Sequence, residues 1–592
     1  MTVPRCAMQE LGDARYRFDG LVGRRIDLNQ EHWLLTAPQA NPGMLAMLYD
    51  RDRLPRRDLV PWAGELVGKY LTSAVLCYRL TRDPRLARQI ERFVESLVAA
   101  QDDDGYLGPF PRSERLSGTI LDGKGRTWDL WGHYHAILGL LLWHAESGDA
   151  GALRGATRAG DLIYDTFLGT GRRVLEAGDE EMNQAISHGL CLLYQATGGE
   201  RYWAMAREVE RDWESPRSGD YVRDALAGTP FWRMRKPRWE SLHSVQAVLS
   251  LYEITGEERY RRAFENTWQS IRGGDIHNTG GFSSGEAATG NPYDPRPIET
   301  CCTVAWMALC VDMLRLAGDS RVADELEMST LNATLGAQSP SGRWWTYNTP
   351  MDGVRRASAH DIVFQAREGT PELNCCSVNG PRSLGMLAQW AALRSERGLA
   401  LNYYGPGTVT VPCEDGRMTL RQETDYPRDG RIEIAVGTEG AARDVALGLR
   451  VPAWSEDTKL ALNGSPLPRP AAGGYVWLEG PWHSGDRITL ELDIRPRFWV
   501  GEREAAGKAS IYRGPLLLAY DRWLNSMDPD DVPPIALEGL TLTPASVSPA
   551  VAQPWVAFEA QAADGTRLVL CDFASAGAAG TPYRTWLPLV KR

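Results

Sequence analysis

Two pairs of adjacent cysteines and two glutamates stand out by their spacing. Thr279-Gly280-Gly281-Phe282-Ser283-Ser284-Gly285-Glu286 presents a carboxylate on a glycine-rich loop. Pro297-Ile298-Glu299-Thr300-Cys301-Cys302 follows, with a second carboxylate two residues ahead of a thiol. The other pair lies in Leu373-Asn374-Cys375-Cys376-Ser377-Val378-Asn379-Gly380-Pro381-Arg382. Apolar helical patterns over 303–316 and 384–393 follow directly, so both clusters open helices. A thiol at a helix N-terminus feels the positive end of the helix dipole, which favours the thiolate, the form that attacks carbon and binds metal. Glu299, Cys301, Cys375 and Cys376 are four donors of the kinds that hold zinc in a tetrahedral site. Their spacing is not that of Cys-x-x-Cys zinc knuckles, so packed free thiols stand as the alternative. A Cys–His protease is a weaker one, because no His or Asn sits in a companion motif.

The elements that must carry these residues divide the chain by periodicity. Over the first two thirds an apolar helix repeatedly ends in a turn and a more charged helix follows. The turns are Thr81-Arg82-Asp83-Pro84-Arg85, Ser147-Gly148-Asp149, Thr197-Gly198-Gly199-Glu200, Thr255-Gly256-Glu257-Glu258 and Ala317-Gly318-Asp319-Ser320. Each Gly falls where a helix C-terminus takes a left-handed residue. Leu242, Val245, Leu249 and Tyr252 show the apolar face at helical spacing. Five or six such hairpins with variable loops predict an (α/α)6 toroid with its cleft where the long loops gather. Near residue 396 period-two alternation takes over: Ile432/Ile434/Val436, Val445/Leu447/Leu449/Val451 and Ile488/Leu490/Leu492/Ile494. Asn463-Gly464 signals a hairpin. The predicted organisation is a catalytic barrel over 1–395, its first ~20 residues packing with the β domains, then β-sandwiches over 396–500 and 501–592.

Bulk properties narrow the function classes. The chain has 592 residues and a formal charge of −11, which argues against a nucleic-acid or anionic-membrane partner. No uninterrupted apolar run reaches the ~18 residues of a membrane span. Met1-Thr2-Val3-Pro4-Arg5-Cys6 has no signal-peptide hydrophobic segment, so a cytoplasmic enzyme is expected. Disulfides are not expected among the ten cysteines, and Cys77 and Cys191 read as small core residues. The 21 Trp and 21 Tyr against 11 Phe suit a cleft that stacks on sugars, with buried Trp as the plainer reading.

The Glu299-Thr300-Cys301 element, the 374–382 run and the 280–286 loop together resemble glycoside hydrolase family 127 and its relative family 146, the β-L-arabinofuranosidase families. Ala100-Gln101-Asp102-Asp103-Asp104-Gly105-Tyr106-Leu107, Glu181-Met182-Asn183-Gln184, Tyr347-Asn348-Thr349-Pro350 and Tyr512-Arg513-Gly514-Pro515-Leu516 extend the resemblance over most of the chain. It implies an (α/α)6 barrel with β-sandwiches appended. It implies Zn2+ held by Glu299, Cys301, Cys375 and Cys376, with Cys375 as nucleophile and Glu286 as general acid/base of a retaining exo-glycosidase. His135, His243, Glu327 and Tyr347 match substrate contacts of the family, with Trp344 and Trp345 as competing sugar platforms beside Tyr347. Asn183 stands where some members carry His. His133, His144, His188, His277 and His360 match no family role. The implied partner is a carbohydrate, first a β-L-arabinofuranoside of plant glycans, with a monomer or homodimer expected. Another furanoside or an acidic branched pectin sugar is the second reading, and a non-catalytic carbohydrate binder with structural zinc the third.

Overall fold

The computed structural model describes residues 6–121, 123, 125–283, 285–357, 373–413, 416–439, 444–547 and 554–590. His360, Ser284 and the first five residues lie outside that set. Helix α1 (Gly20–Asn29) opens the helical region. Five hairpins follow: α2 (Glu65–Thr81) with α3 (Pro84–Ala99), α4 (Asp129–Ser147) with α5 (Ala150–Phe167), α6 (Ile186–Thr197) with α7 (Glu200–Asp212), α8 (Ser241–Thr255) with α9 (Glu258–Gly274), and α10 (Thr300–Ala317) with α11 (Ser320–Met328). Helix α12 (Cys375–Gly385) comes last.

The two members of each hairpin differ in pattern because they occupy different places. The outer helix α3 buries Leu86, Ile90, Phe93, Val94 and Leu97 and turns Arg88, Glu91, Arg92 and Glu95 to solvent. The inner helix α4 is buried nearly all round, from Asp129 to Leu141 without a break. Neighbours in the inner set run α2–α4–α6–α8–α10–α12 and back to α2, a closed ring. The hairpin turns hold the expected left-handed residue at Gly148, Gly198, Gly256 and Gly318, and Arg82 takes the same conformation without being glycine. Asp83, Asp149 and Asp319 then cap the outer helices. Each hairpin brings the chain back to one end before the next inner helix begins. The long loops before α4, α6, α8, α10 and α12 therefore collect at the N-terminal ends of the inner ring. One helix among the described residues, α10, is long and apolar enough to cross a membrane, although Asp312 and Arg315 interrupt its apolar run; most of it is buried within this ring.

The β region begins with two sheets packed face to face over one core that includes Leu399, Leu401, Val409, Leu420, Ile432, Ile434, Leu447, Leu449, Ile488 and Leu490. Strand Met8–Glu10 edges one sheet and Arg15–Phe18 the other, so the start of the chain is woven into the β region. Lys459–Leu462 and Ser465–Pro466 pair around Asn463-Gly464, both at positive φ, as a two-residue hairpin. The strands after Pro496 form one branched antiparallel sheet. Gly353–Val354 from the loop ahead of α12 joins it by pairing with Pro582–Arg584. Ile511, Leu516, Leu518 and Leu570 of this sheet share the core of the helical ring.

Candidate active site

Two helix starts build the centre of the cleft. At α12, Asn374 caps the first turn: its side chain accepts the Ser377 N–H at 2.9 Å, and the Ser377 hydroxyl accepts the Asn374 N–H at 2.9 Å. That fixes Cys375 and Cys376 in the first turn. At α10 the short strand Ile298–Glu299 pairs with Asn348–Thr349, and the Thr300 N–H donates to the Tyr347 carbonyl at 2.9 Å. Glu299 is the N-cap residue, yet its carboxylate makes no capping bond and turns instead to the thiols. The ligating atoms of Glu299, Cys301, Cys375 and Cys376 all lie within 4.8 Å of one another, and all four residues are buried. Cys376 Sγ stands 3.4 Å from Glu299 Oε1 and 3.6 Å from Cys301 Sγ; Cys375 Sγ stands 3.8 Å from Cys376 Sγ and 3.9 Å from Glu299 Oε1. Cys302 donates to the other oxygen, Oε2, at 3.8 Å and accepts from the Ser283 hydroxyl at 3.7 Å. A buried cluster of three thiols and a carboxylate at these separations can hold a metal ion. All ten cysteines are free of disulfides.

The protein's own charges favour one thiolate. Burial opposes ionisation of Cys301, but hydrogen bonds from Cys375 and Cys376, the Lys69 ammonium and the Asn379 amide outweigh it and hold Cys301 well below the ordinary thiol range. Asn379 Nδ2 donates to Cys301 Sγ at 3.4 Å, and Lys69 Nζ lies 3.9 Å away. Cys375 is held well above the usual range by its hydrogen bond to Cys301, and Cys376 by burial and the same thiolate. Burial and the charge on Cys301 also push Glu299 well above the carboxylate range. Lys69 itself is buried, paired with Glu65 at 2.8 Å, and lies over the rings of Trp239 and Trp131 at 4.9 and 5.4 Å from their centroids. Burial works against its charge, and Cys301 and Glu65 more than offset it.

Glu286 projects from a kinked loop, itself at φ 70°, and lines an open cleft of about 480 Å³ together with Pro297, Tyr347, Asn348, Pro350 and Arg356. Arg238 Nη2 donates to its Oε2 at 2.7 Å, and the same guanidinium holds Glu240 through both oxygens. Burial pushes Glu240 up to about 7 although Arg238 pulls it down. Tyr347 connects the two halves. After burial, Cys375, Glu299, Cys376 and Glu286 in turn are what push its hydroxyl well above the ordinary phenol range.

The other residues singled out from the sequence take different places. His135 on α4 and His243 on α8, the inner helices on either side of α6, bring their ring centroids to 5.6 Å, beside Trp131. Neither ring nitrogen of His135, neither amide atom of Asn183 and not Nε2 of His243 has a partner among the described residues, although all three residues are buried. Buried polar atoms without a partner call for an explanation, such as a bound polar group. Glu327 stands in another neighbourhood: Tyr426 and Arg450 of the β region donate to its Oε1 at 2.8 and 2.7 Å. Trp345 is fully buried, packed on Gly380 and donating to Asn29, so it is a core residue and not a sugar platform. His133 is satisfied by the Leu107 N–H and the Asp129 carbonyl. Lys69, Glu65, Arg238 and Glu240 were missed from the sequence. For Lys69 the signal was a lone charge inside Leu66-Val67-Gly68-Lys69-Tyr70-Leu71; for Arg238 there was none.

A ring of six inner helices, a buried cluster of thiols and a carboxylate, unpartnered buried polar atoms and a second carboxylate on an open cleft are the makings of an enzyme site. Comparison with known proteins narrows this. Residues 36–389 match the β-L-arabinofuranosidase GH127 catalytic domain, and residues 398–494 match the GH127 middle domain. A non-reducing end β-L-arabinofuranosidase of Bifidobacterium longum subsp. longum is 26% identical over 510 residues, covering 78% of this chain and 76% of its own. Among solved structures, a GH127 β-arabinofuranosidase superimposes with TM-score 0.81 at 19% identity, covering 99% of this chain and 98% of its own. A GH127 β-L-arabinofuranosidase from Geobacillus stearothermophilus T6 gives TM-score 0.78 at 18% identity, over 97% of this chain and 100% of its own. The chain belongs to glycoside hydrolase family 127.

Proposed function

We propose that the chain is a retaining, exo-acting β-L-arabinofuranosidase of plant-derived glycans that uses Cys375 as nucleophile and Glu286 as general acid/base. The observation that carries this reading is the convergence of Glu299, Cys301, Cys375 and Cys376 beside a cleft lined by Glu286 and Tyr347. The donor set fits Zn2+: tetrahedral ligands at ~2.3 Å stand ~3.8 Å apart, and four of the separations among these atoms are 3.4–3.9 Å, with all within 4.8 Å. When bound, zinc supplies the positive charge that keeps the four ligands, Cys375 included, ionised at neutral pH.

In the first step Cys375 Sγ forms a bond to the anomeric carbon as the glycosidic C–O bond breaks, and Glu286 gives its proton to the departing oxygen. In the second, Glu286 takes a proton from water, the water oxygen bonds to the anomeric carbon, and the C–S bond breaks. Two displacements give net retention, with sulfur in place of one of the usual two carboxylates. His135, His243, Asn183 and Tyr347 would line the sugar pocket, the first three with the unpartnered polar atoms named above. Glu327 is left out of that pocket in this reading because Tyr426 and Arg450 of the β region engage its Oε1, although its Oε2 also has no partner among the described residues.

The test is turnover of a panel of aryl glycosides of different furanoses, with Cys375→Ser and Glu286→Gln as controls. Cys375→Ser should abolish turnover. With p-nitrophenol as leaving group, Glu286→Gln should accumulate a sugar adduct on Cys375, seen as a mass increase on the peptide carrying it. Near-full activity of Cys375→Ser with loss in Glu299→Gln would instead make Glu299 the nucleophile. One observation favours a second sugar: an amide at Asn183 presents different hydrogen-bonding groups from an imidazole, so another furanoside, including an acidic branched pectin sugar, belongs in the panel.

A further inference from the structure

The loop carrying Glu286 is held by a second loop that the acid/base role alone does not require. The segments around Arg238 and Ala287 form an isolated antiparallel bridge. The Trp239 N–H donates to the Glu286 carbonyl at 3.2 Å, and the Ala288 N–H donates to the Pro237 carbonyl at 2.8 Å. Asp275 accepts the N–H groups of Thr289 and Gly290 at 2.6 and 2.7 Å from the other side. These contacts hold Glu286 in a left-handed backbone conformation that a non-glycine residue seldom adopts. The side chain is fixed as well. Arg238 Nε and Nη2 grip the two oxygens of Glu240 at 3.0 and 2.8 Å, and Nη2 reaches Glu286 Oε2 at 2.7 Å. Glu240 is buried, 1% exposed, at the N-cap of α8, the inner helix that carries His243.

We propose that Arg238, braced by Glu240, is a positioning residue for the Glu286 carboxylate, and ties its orientation to the helix that carries His243. The inference rests on the acid/base reading of Glu286. A bidentate grip on a buried carboxylate leaves the guanidinium little freedom, so its remaining contact fixes where one Glu286 oxygen lies. The other oxygen, Oε1, has no partner among the described residues, which leaves it to the leaving-group oxygen and to water. A misplacement of about 1 Å in such a group costs about 10²-fold in rate.

The experiment measures kcat and kcat/KM of Arg238→Met, Arg238→Lys, Glu240→Gln and Glu286→Gln on an alkyl and a p-nitrophenyl β-L-arabinofuranoside, with a melting curve for each protein. Arg238→Met should lose about 10²-fold in kcat/KM on the alkyl glycoside, whose departure needs the proton, and only a few-fold on the p-nitrophenyl glycoside. Its kcat on the latter should fall further, because water attack uses the same carboxylate. Arg238→Lys should recover part of the loss. Glu240→Gln should show the same leaving-group dependence at about a tenfold scale, and carries the test should Arg238→Met not fold. Equal losses on both substrates, or none, would overturn the proposal, since a merely structural role lowers the melting temperature without favouring one leaving group. Should Glu286→Gln itself show no leaving-group dependence, the acid/base reading fails; should Glu286→Gln show it and the Arg238 and Glu240 variants not, only the positioning role fails.

Discussion

Replacing Lys69 by Met tests the electrostatics under the thiol cluster. The substitution keeps the length of the stem and removes the ammonium from beneath Trp131 and Trp239. Glu65, 2% exposed, then keeps, among the described residues, the Trp131 indole N–H as the partner of its carboxylate. Breaking a buried pair by removing one member costs about 3–5 kcal/mol, because the remaining charge has neither water nor a counter-ion. The two cation–π contacts, at about 0.5–2 kcal/mol each when desolvated, belong to the same loss. In a chain of this size that corresponds to a fall of roughly 3–6 °C in the first melting transition. The double variant Lys69→Met/Glu65→Leu removes both charges and should regain at least ~2 kcal/mol of the single variant's deficit. Urea unfolding followed by tryptophan fluorescence on wild type, both singles and the double closes the cycle. A neutral Lys69→Met, or a double variant as unstable as the sum of the singles, would refute the claim that the pair balances charge.

Arg450→Met should destabilise by about 3–5 kcal/mol, since it leaves Asp324 and Glu327 buried without their cation, while Glu327→Gln should lower stability without raising KM. A tenfold rise in KM with an unchanged melt for Glu327→Gln would return that residue to the sugar pocket. Asp275 is pushed up to about 6 by burial, against the Gly290 and Thr289 amides. The folded chain therefore holds a proton that the unfolded chain releases between pH ~4 and 6, and this residue's contribution to stability falls as pH rises through that window, by up to ~3 kcal/mol, then stays level. Asp275→Asn should accordingly gain on wild type in melting temperature from pH 4 to 6.5; a constant difference contradicts the assignment. Gly68→Ala would put a Cβ 2.1 Å from the His135 carbonyl carbon, so α2 and α4 must separate. It should cost at least ~1–3 kcal/mol and raise KM through His135; an unchanged KM would detach His135 from the sugar. Cys301→Ala and Cys376→Ala should lose zinc by elemental analysis, and retention of one zinc per chain in both would remove them from the donor set.

Local physics determined much of this protein from its sequence alone. Helix starts at Glu299 and Asn374 are legible because the apolar periodicity that follows them acts within a few residues. The hairpin turns at Gly148, Gly198, Gly256 and Gly318, the alternation of Ile432, Ile434 and Val436, and the Asn463-Gly464 turn are local in the same way. What the periodicity could not decide is which helix starts meet. Glu299 and Cys376 lie 77 residues apart, and Lys69 and Cys301 lie 232 apart, and only closure of the ring brings them within 4 Å. The Arg238 grip on Glu286 and Glu240, the engagement of Glu327 by Arg450 and the pairing of Met8–Glu10 with the 392–395 strand arise in the same way. A charged side chain reads as solvated until packing buries it, and a buried charge must then find its partner wherever the fold has placed one.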